Sequence, residues 1–154
     1  MKRHPALLTW SREHHAALVL AKRAQRLTEF SPDTLKAIIS EVNRVFSLEL
    51  APHFHLEEQY LLPALLNAGQ AEAVERTLAE HAELRSLVDQ LDISHPEVIH
   101  RFGKALADHV RFEERELFPL AESALSSETL ADIELSIDQA ARPDITSERQ
   151  HEPS

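Results

Sequence analysis

The chain has no cysteine among its 154 residues, which rules out disulfides, thiolate zinc sites, iron–sulfur clusters and cysteine nucleophiles. Any metal has only histidine and carboxylate to hold it. No apolar run approaches the roughly 20 residues that span a bilayer. The opening Met1-Lys2-Arg3-His4-Pro5, with charge returning at Arg12 and Glu13, lacks the apolar core of a signal peptide. A cytoplasmic protein without a membrane partner is expected. Basic residues are outnumbered 16 to 26, for a formal charge of −10. Phosphate binding relies on clustered Lys and Arg, so nucleic acid is not an expected partner.

Only two glycines occur, Gly69 and Gly103, and long segments repeat apolar residues every three or four positions, the sign of amphipathic helices. The chain therefore reads as all-α. The first helix is predicted from Pro5 or Thr9 to Thr28, with Trp10, His14, Ala17, Leu18 and Ala21 inward. Ser31-Pro32-Asp33 reads as a cap with proline at the first helical position. The second helix carries Leu35, Ile38, Ile39, Val42, Val45, Phe46, Leu50, His53, Glu57, Tyr60, Leu61 and Ala64 on one stripe. Pro52 falls within it, which predicts a kink just before His53. Pro63 is expected to end the helix or kink it again.

A third helix, about Ala71 to Leu91, places Val74, Thr77, Leu78, His81, Leu84, Val88 and Leu91 on its apolar face. A fourth, after Asp92-Ile93-Ser94-His95-Pro96, turns Val98, Phe102, Ala105, Leu106, His109, Phe112, Glu113, Leu117 and Leu120 inward. Ser126-Ser127-Glu128 can cap a short fifth helix to about Gln139. The expected architecture is an up-down-up-down antiparallel four-helix bundle with a short additional C-terminal helix. One domain over residues 1–141 and a disordered polar tail over 142–154 complete it.

The chain repeats itself internally. Pro52 to Pro63 contains His53-x-x-x-Glu57, and His109-x-x-x-Glu113 follows 56 positions later. At that offset Phe46, Leu50, Ala51, His53, Glu57, Glu58, Leu61 and Pro63 meet identical residues at Phe102, Leu106, Ala107, His109, Glu113, Glu114, Leu117 and Pro119. Helix residues four apart share a face, with Cβ atoms roughly 5–6 Å apart. Each pair can thus aim an imidazole and a carboxylate at one point, a donor set suited to iron, zinc or copper.

With His14 and His81 inward on the first and third helices, the candidate metal ligands are His14, His53, Glu57, His81, His109 and Glu113. Ionised groups are costly to bury without partners, and six occupy apolar stripes here. His14 is preferred to His15 because it shares a face with Trp10, Ala17 and Ala21, whereas His15 shares one with Ser11 and Lys22. Glu58 and Glu114, rotated about 100° from the ligand glutamates, are expected to face solvent. His55 is expected at the surface or behind the ligands. Tyr60 and Trp10 lie one turn from ligands and read as core.

On these residues the chain resembles the hemerythrin-like, or HHE cation-binding, family, with one histidine from each of two helices and His-x-x-x-Glu from the other two. The resemblance spans about Leu7 to Ala121. It implies a four-helix bundle around two iron ions, with His14, His53, His81 and His109 as terminal ligands. Glu57 and Glu113 would bridge, together with an oxo, hydroxo or water ligand. Oxygen-carrying members have His-x-x-x-His on the third helix, where Thr77 and Arg85 flank His81 here. The pattern H, HxxxE, H, HxxxE is similar to the bacterial branch.

The resemblance implies a non-haem di-iron protein that meets a small diatomic ligand or peroxide, with peroxide decomposition (catalase-like) or oxygen and redox sensing as its function. The competing readings are a non-catalytic iron buffer, a structural metal-binding bundle and a metal-free interaction bundle. An exposed helix face leaves room for a homodimer.

Overall fold

A computed structural model describes residues 3–141, and these are helical with short connections. Helix α1 runs Pro5–Gln25, started by the His4 side chain, which accepts from the Ala6 amide. Helix α2 covers residues 32–67 and is capped by the Ser31 hydroxyl on the Thr34 amide. Helix α3 is Ala71–Asp89, α4 covers residues 97–124, and α5 is Ser127–Ala141. The tail expected over residues 142–154 lies outside the described residues.

The prolines inside α2 and α4 neither end these helices nor break them. Each is preceded by a π turn, closed by an amide that bonds the carbonyl five residues back. Ala51 bonds Phe46, Leu62 bonds Glu57, and Phe118 bonds Glu113. Pro52, Pro63 and Pro119 follow immediately. A proline ring collides with the carbonyl four residues earlier in a regular helix, and a π turn adds a residue at that place. Helix α2 therefore continues past Pro63 to Asn67.

Two apolar clusters divide the interior. One holds Ala17, Leu20, Ala21, Leu35, Val42, Leu84, Leu87 and Phe102. The other holds Leu7, Trp10, Leu61, Leu65, Val74, Phe118 and the α5 residues Leu130, Ile133 and Ile137. Helices α1 and α3 run from the second cluster into the first, and α2 and α4 run the other way. Burying one large apolar side chain contributes roughly 1.5–3 kcal/mol. Between the clusters the interior turns polar, and His14, His53, Glu57, Thr77, His81, His109 and Glu113 are buried there.

The stripe expected on α3 is slightly rotated. Leu78 is 44% exposed and Leu87 is buried instead. The buried line through Thr77, His81 and Leu84 extends by a step of three to Leu87, so Leu78 falls one residue outside it. Helices α1 and α4 cross closely at Gly103, where a Cβ would stand 2.7 Å from the Ala21 carbonyl oxygen and 2.9 Å from Ala24 Cβ.

Candidate metal centre

Each of the four long helices sends one histidine into the polar layer, and α2 and α4 add one glutamate each. Two donor groups result: His14, His53, Glu57 and Glu113, and then Glu57, His81, His109 and Glu113. Within each group the ligand atoms lie within 4.8 Å of one another. Both groups contain both glutamates. Glu57 turns Oε2 toward His53 Nε2 at 3.1 Å and Oε1 toward His81 Nε2 at 3.1 Å. Glu113 turns Oε1 toward His14 Nε2 at 2.9 Å and Oε2 toward His109 Nε2 at 3.5 Å.

These contacts do not satisfy the cluster. Among the described residues, His53 Nε2, His81 Nε2, His109 Nε2, both oxygens of Glu57 and Glu113 Oε2 are buried without an aligned hydrogen bond. A buried polar atom without a partner costs on the order of 1–3 kcal/mol. Gathering six such atoms at one place, from nitrogen and carboxylate donors alone, is the chemistry of a cation site. The residues present fit metal ions.

The opposite ring nitrogens are fully engaged. His14 Nδ1 pairs with Glu114 at 2.8 Å, His53 Nδ1 with Glu13 at 2.7 Å, His81 Nδ1 with Glu58 at 2.6 Å and His109 Nδ1 with Glu80 at 2.7 Å. The carboxylates reach from α1 to α2, α2 to α3, α3 to α4 and α4 back to α1, closing a ring around the centre. Each Nδ1–H donates to its carboxylate, so the neutral imidazole presents the Nε2 lone pair inward.

Glu58 and Glu114, expected to face solvent, are therefore half-buried partners of His81 and His14. A rotation of 100° from the core of a bundle leads into the seam with a neighbouring helix before it leads to water. The sequence carried a signal for all four: Glu13, Glu58, Glu80 and Glu114 each adjoin one of the six central residues. Three of these carboxylates are also held by arginine: Glu58 by Arg85, Glu80 by Arg76 and Glu114 by Arg3.

The other expectations fall out by burial. His14 is buried and His15 exposed. His55 is exposed, and Tyr60 is half-buried. Trp10 is core, with its ring 5.6 Å from that of His53 and stacked on Phe118. His100 bonds the Leu27 carbonyl, and His151 lies outside the described residues.

Charge in the cluster follows from burial and pairing together. Burial opposes a charge on His14, but Glu113 and Glu114 on its two nitrogens outweigh it and raise its pKa to about 9. His53 and His81 are also held above the ordinary range, burial again being outweighed, chiefly by Glu57. Burial works against ionised Glu113, yet His109 together with bonds from His14 and His53 keeps it well below the usual carboxylate range. Without metal, the raised values of His14, His53 and His81 favour their protonated rings beside ionised Glu113.

The family model described as Hemerythrin HHE cation binding domain matches residues 6–121, well over half of the chain. The chain belongs to this family. All six central residues and all four outer carboxylates of this hemerythrin-family protein lie inside the match, whereas α5 lies beyond it. No curated protein and no solved structure matches the chain significantly. Among the described residues of this family member, no helix is long and apolar enough to cross a membrane.

Proposed function

We propose that this hemerythrin-family protein is a non-haem di-iron protein whose centre reacts with peroxide or senses oxygen. The single observation that carries the reading is that both glutamates belong to both donor groups. Two sites sharing two carboxylates would hold two ions, His14 and His53 serving one and His81 and His109 the other, with Glu57 and Glu113 available to both. The opposed chain directions through the two apolar clusters support an up-down-up-down bundle over residues 1–141, with α5 as an addition to it.

Two adjacent irons, when bound, supply ligand positions that the protein does not fill and a store of two electrons. The chain's own residues do the rest. The outer carboxylates orient the imidazoles, and the apolar clusters above and below keep bulk water from the centre. The raised histidine pKa values make metal loading a proton-releasing exchange at neutral pH.

Iron content per chain, measured with the absorption spectrum before and after peroxide, tests the reading. Two irons per chain with a spectrum that responds to peroxide is the expected result. One or two tightly held zinc ions with no spectral response would mean a structural site, because four donors per ion close a tetrahedral zinc shell.

A further inference from the structure

The internal repeat contains its own control. Phe46, Leu50 and Ala51 recur as Phe102, Leu106 and Ala107, but Pro52 is matched by Asp108. Helix α2 makes a π turn over Phe46–Leu50, whereas α4 is a regular α-helix from Glu97 to Phe112. Where the proline is shared, the turn is shared too: Glu57–Leu61 stands ahead of Pro63, and Glu113–Leu117 ahead of Pro119. Every π turn among the described residues is thus followed, one residue on, by a proline.

The turns at Glu57 and Glu113 decide which side chains share a face. His53, Glu57, Leu61 and Leu65 are all buried at a spacing of four, and so are His109, Glu113, Leu117 and Ala121. In a regular α-helix each step of four overshoots a full turn by about 40°, so three steps carry the last residue about 120° off the face of the first. A π turn takes one more residue into its loop, which removes about 100° of that drift. The ligand pairs therefore stay aligned with Leu61, Leu65, Leu117 and Ala121, their anchors in the second apolar cluster.

We propose that Pro63 and Pro119 are positioning residues for Glu57 and Glu113. Each proline supplies no amide to the carbonyl four residues back, Gln59 or Arg115, and its ring bars that carbonyl from its regular place. The last amide before the ring bonds instead to the carbonyl of the glutamate itself, Leu62 to Glu57 and Phe118 to Glu113. Each glutamate is so held in register with its anchor, at the point where it belongs to both donor groups.

The inference rests on Glu57 and Glu113 serving a metal, and its test separates the two. Cobalt(II) is titrated into the full-length protein, with affinity taken from competition against a chelator and ligand geometry from the visible absorption bands of the bound ion. Pro63→Ala and Pro119→Ala put the best helix former at these positions and free the turn to close regularly. Both are expected to weaken cobalt binding by roughly tenfold or more and to shift the bands. In crystals of Pro63→Ala the Leu62 amide is expected on the Glu58 carbonyl. Leu35→Ala truncates the core at the far end of α2, and it is expected to lower the melting temperature while leaving affinity and bands as in wild type.

Native affinity and bands in both proline variants, a Leu62 amide still on Glu57 in Pro63→Ala, or an equal loss of affinity in Leu35→Ala would each overturn the proposal while leaving the metal centre standing. Wild-type protein that binds no cobalt would overturn the metal centre and the positioning role together.

Discussion

Glu58 Oε2 lies 2.6 Å from His81 Nδ1, joining α2 to α3 behind the ring face that looks into the centre. Arg85 holds the same carboxylate, and Glu58 is kept below the usual carboxylate range because the arginine and the histidine outweigh its burial. The pair fixes both the position of the imidazole and the nitrogen it presents.

Glu58→Ala is therefore expected to weaken metal binding by about 10–100-fold, the usual effect of losing a partner behind a metal-bound histidine. Glu58→Gln keeps a carbonyl acceptor and should lose less. Competition against a chelator of known affinity measures both. Equal affinity in wild type and Glu58→Ala would show that the contact has no part in metal binding.

Glu57→Ala should abolish binding of both ions rather than one, since each donor group contains this residue. Removal also takes away the carboxylate whose two oxygens meet His53 Nε2 and His81 Nε2. Iron content per chain decides the matter. A variant that still holds two irons would refute the bridging role.

Metal removal and pH are linked through the histidines. His14 titrates near 9 in the folded metal-free protein and near 6.5 when exposed. Its pairing with Glu113 and Glu114 therefore stabilises the metal-free fold fully below pH 6.5, and that contribution is lost as pH rises through about 9. Metal requires the neutral ring, so affinity should climb across the same window, by about tenfold per pH unit for each proton released. The melting temperature of chelated protein should fall from pH 6.5 to 9 while the gap to loaded protein widens. A gap that is constant across this range would show that the histidines do not exchange protons for metal.

Gly103→Ala tests the α1–α4 crossing without touching the centre directly. The added methyl would meet the Ala21 carbonyl oxygen at 2.7 Å, and backbone yields little. Overpacking of this kind costs roughly 1–3 kcal/mol. Denaturant unfolding of the metal-loaded variant is expected to show that loss, and wild-type stability would mean that the helices separate freely here.

The sequence by itself determined the helical class, the internal repeat and the six inward residues, because a period of 3.6 and a spacing of four translate directly into shared faces. His14 could be chosen over His15 for that reason, and burial agrees with the choice. Only the tertiary structure decided what lies at the seams. Periodicity ranks faces from core to solvent but does not say which neighbouring helix a rotated side chain meets, so Glu58 and Glu114 read as solvated although each reaches a histidine on another helix. The prolines marked a disturbance. That it takes the form of π turns opening on Glu57 and Glu113 depends on packing that keeps both helices intact beyond them, which local sequence does not encode.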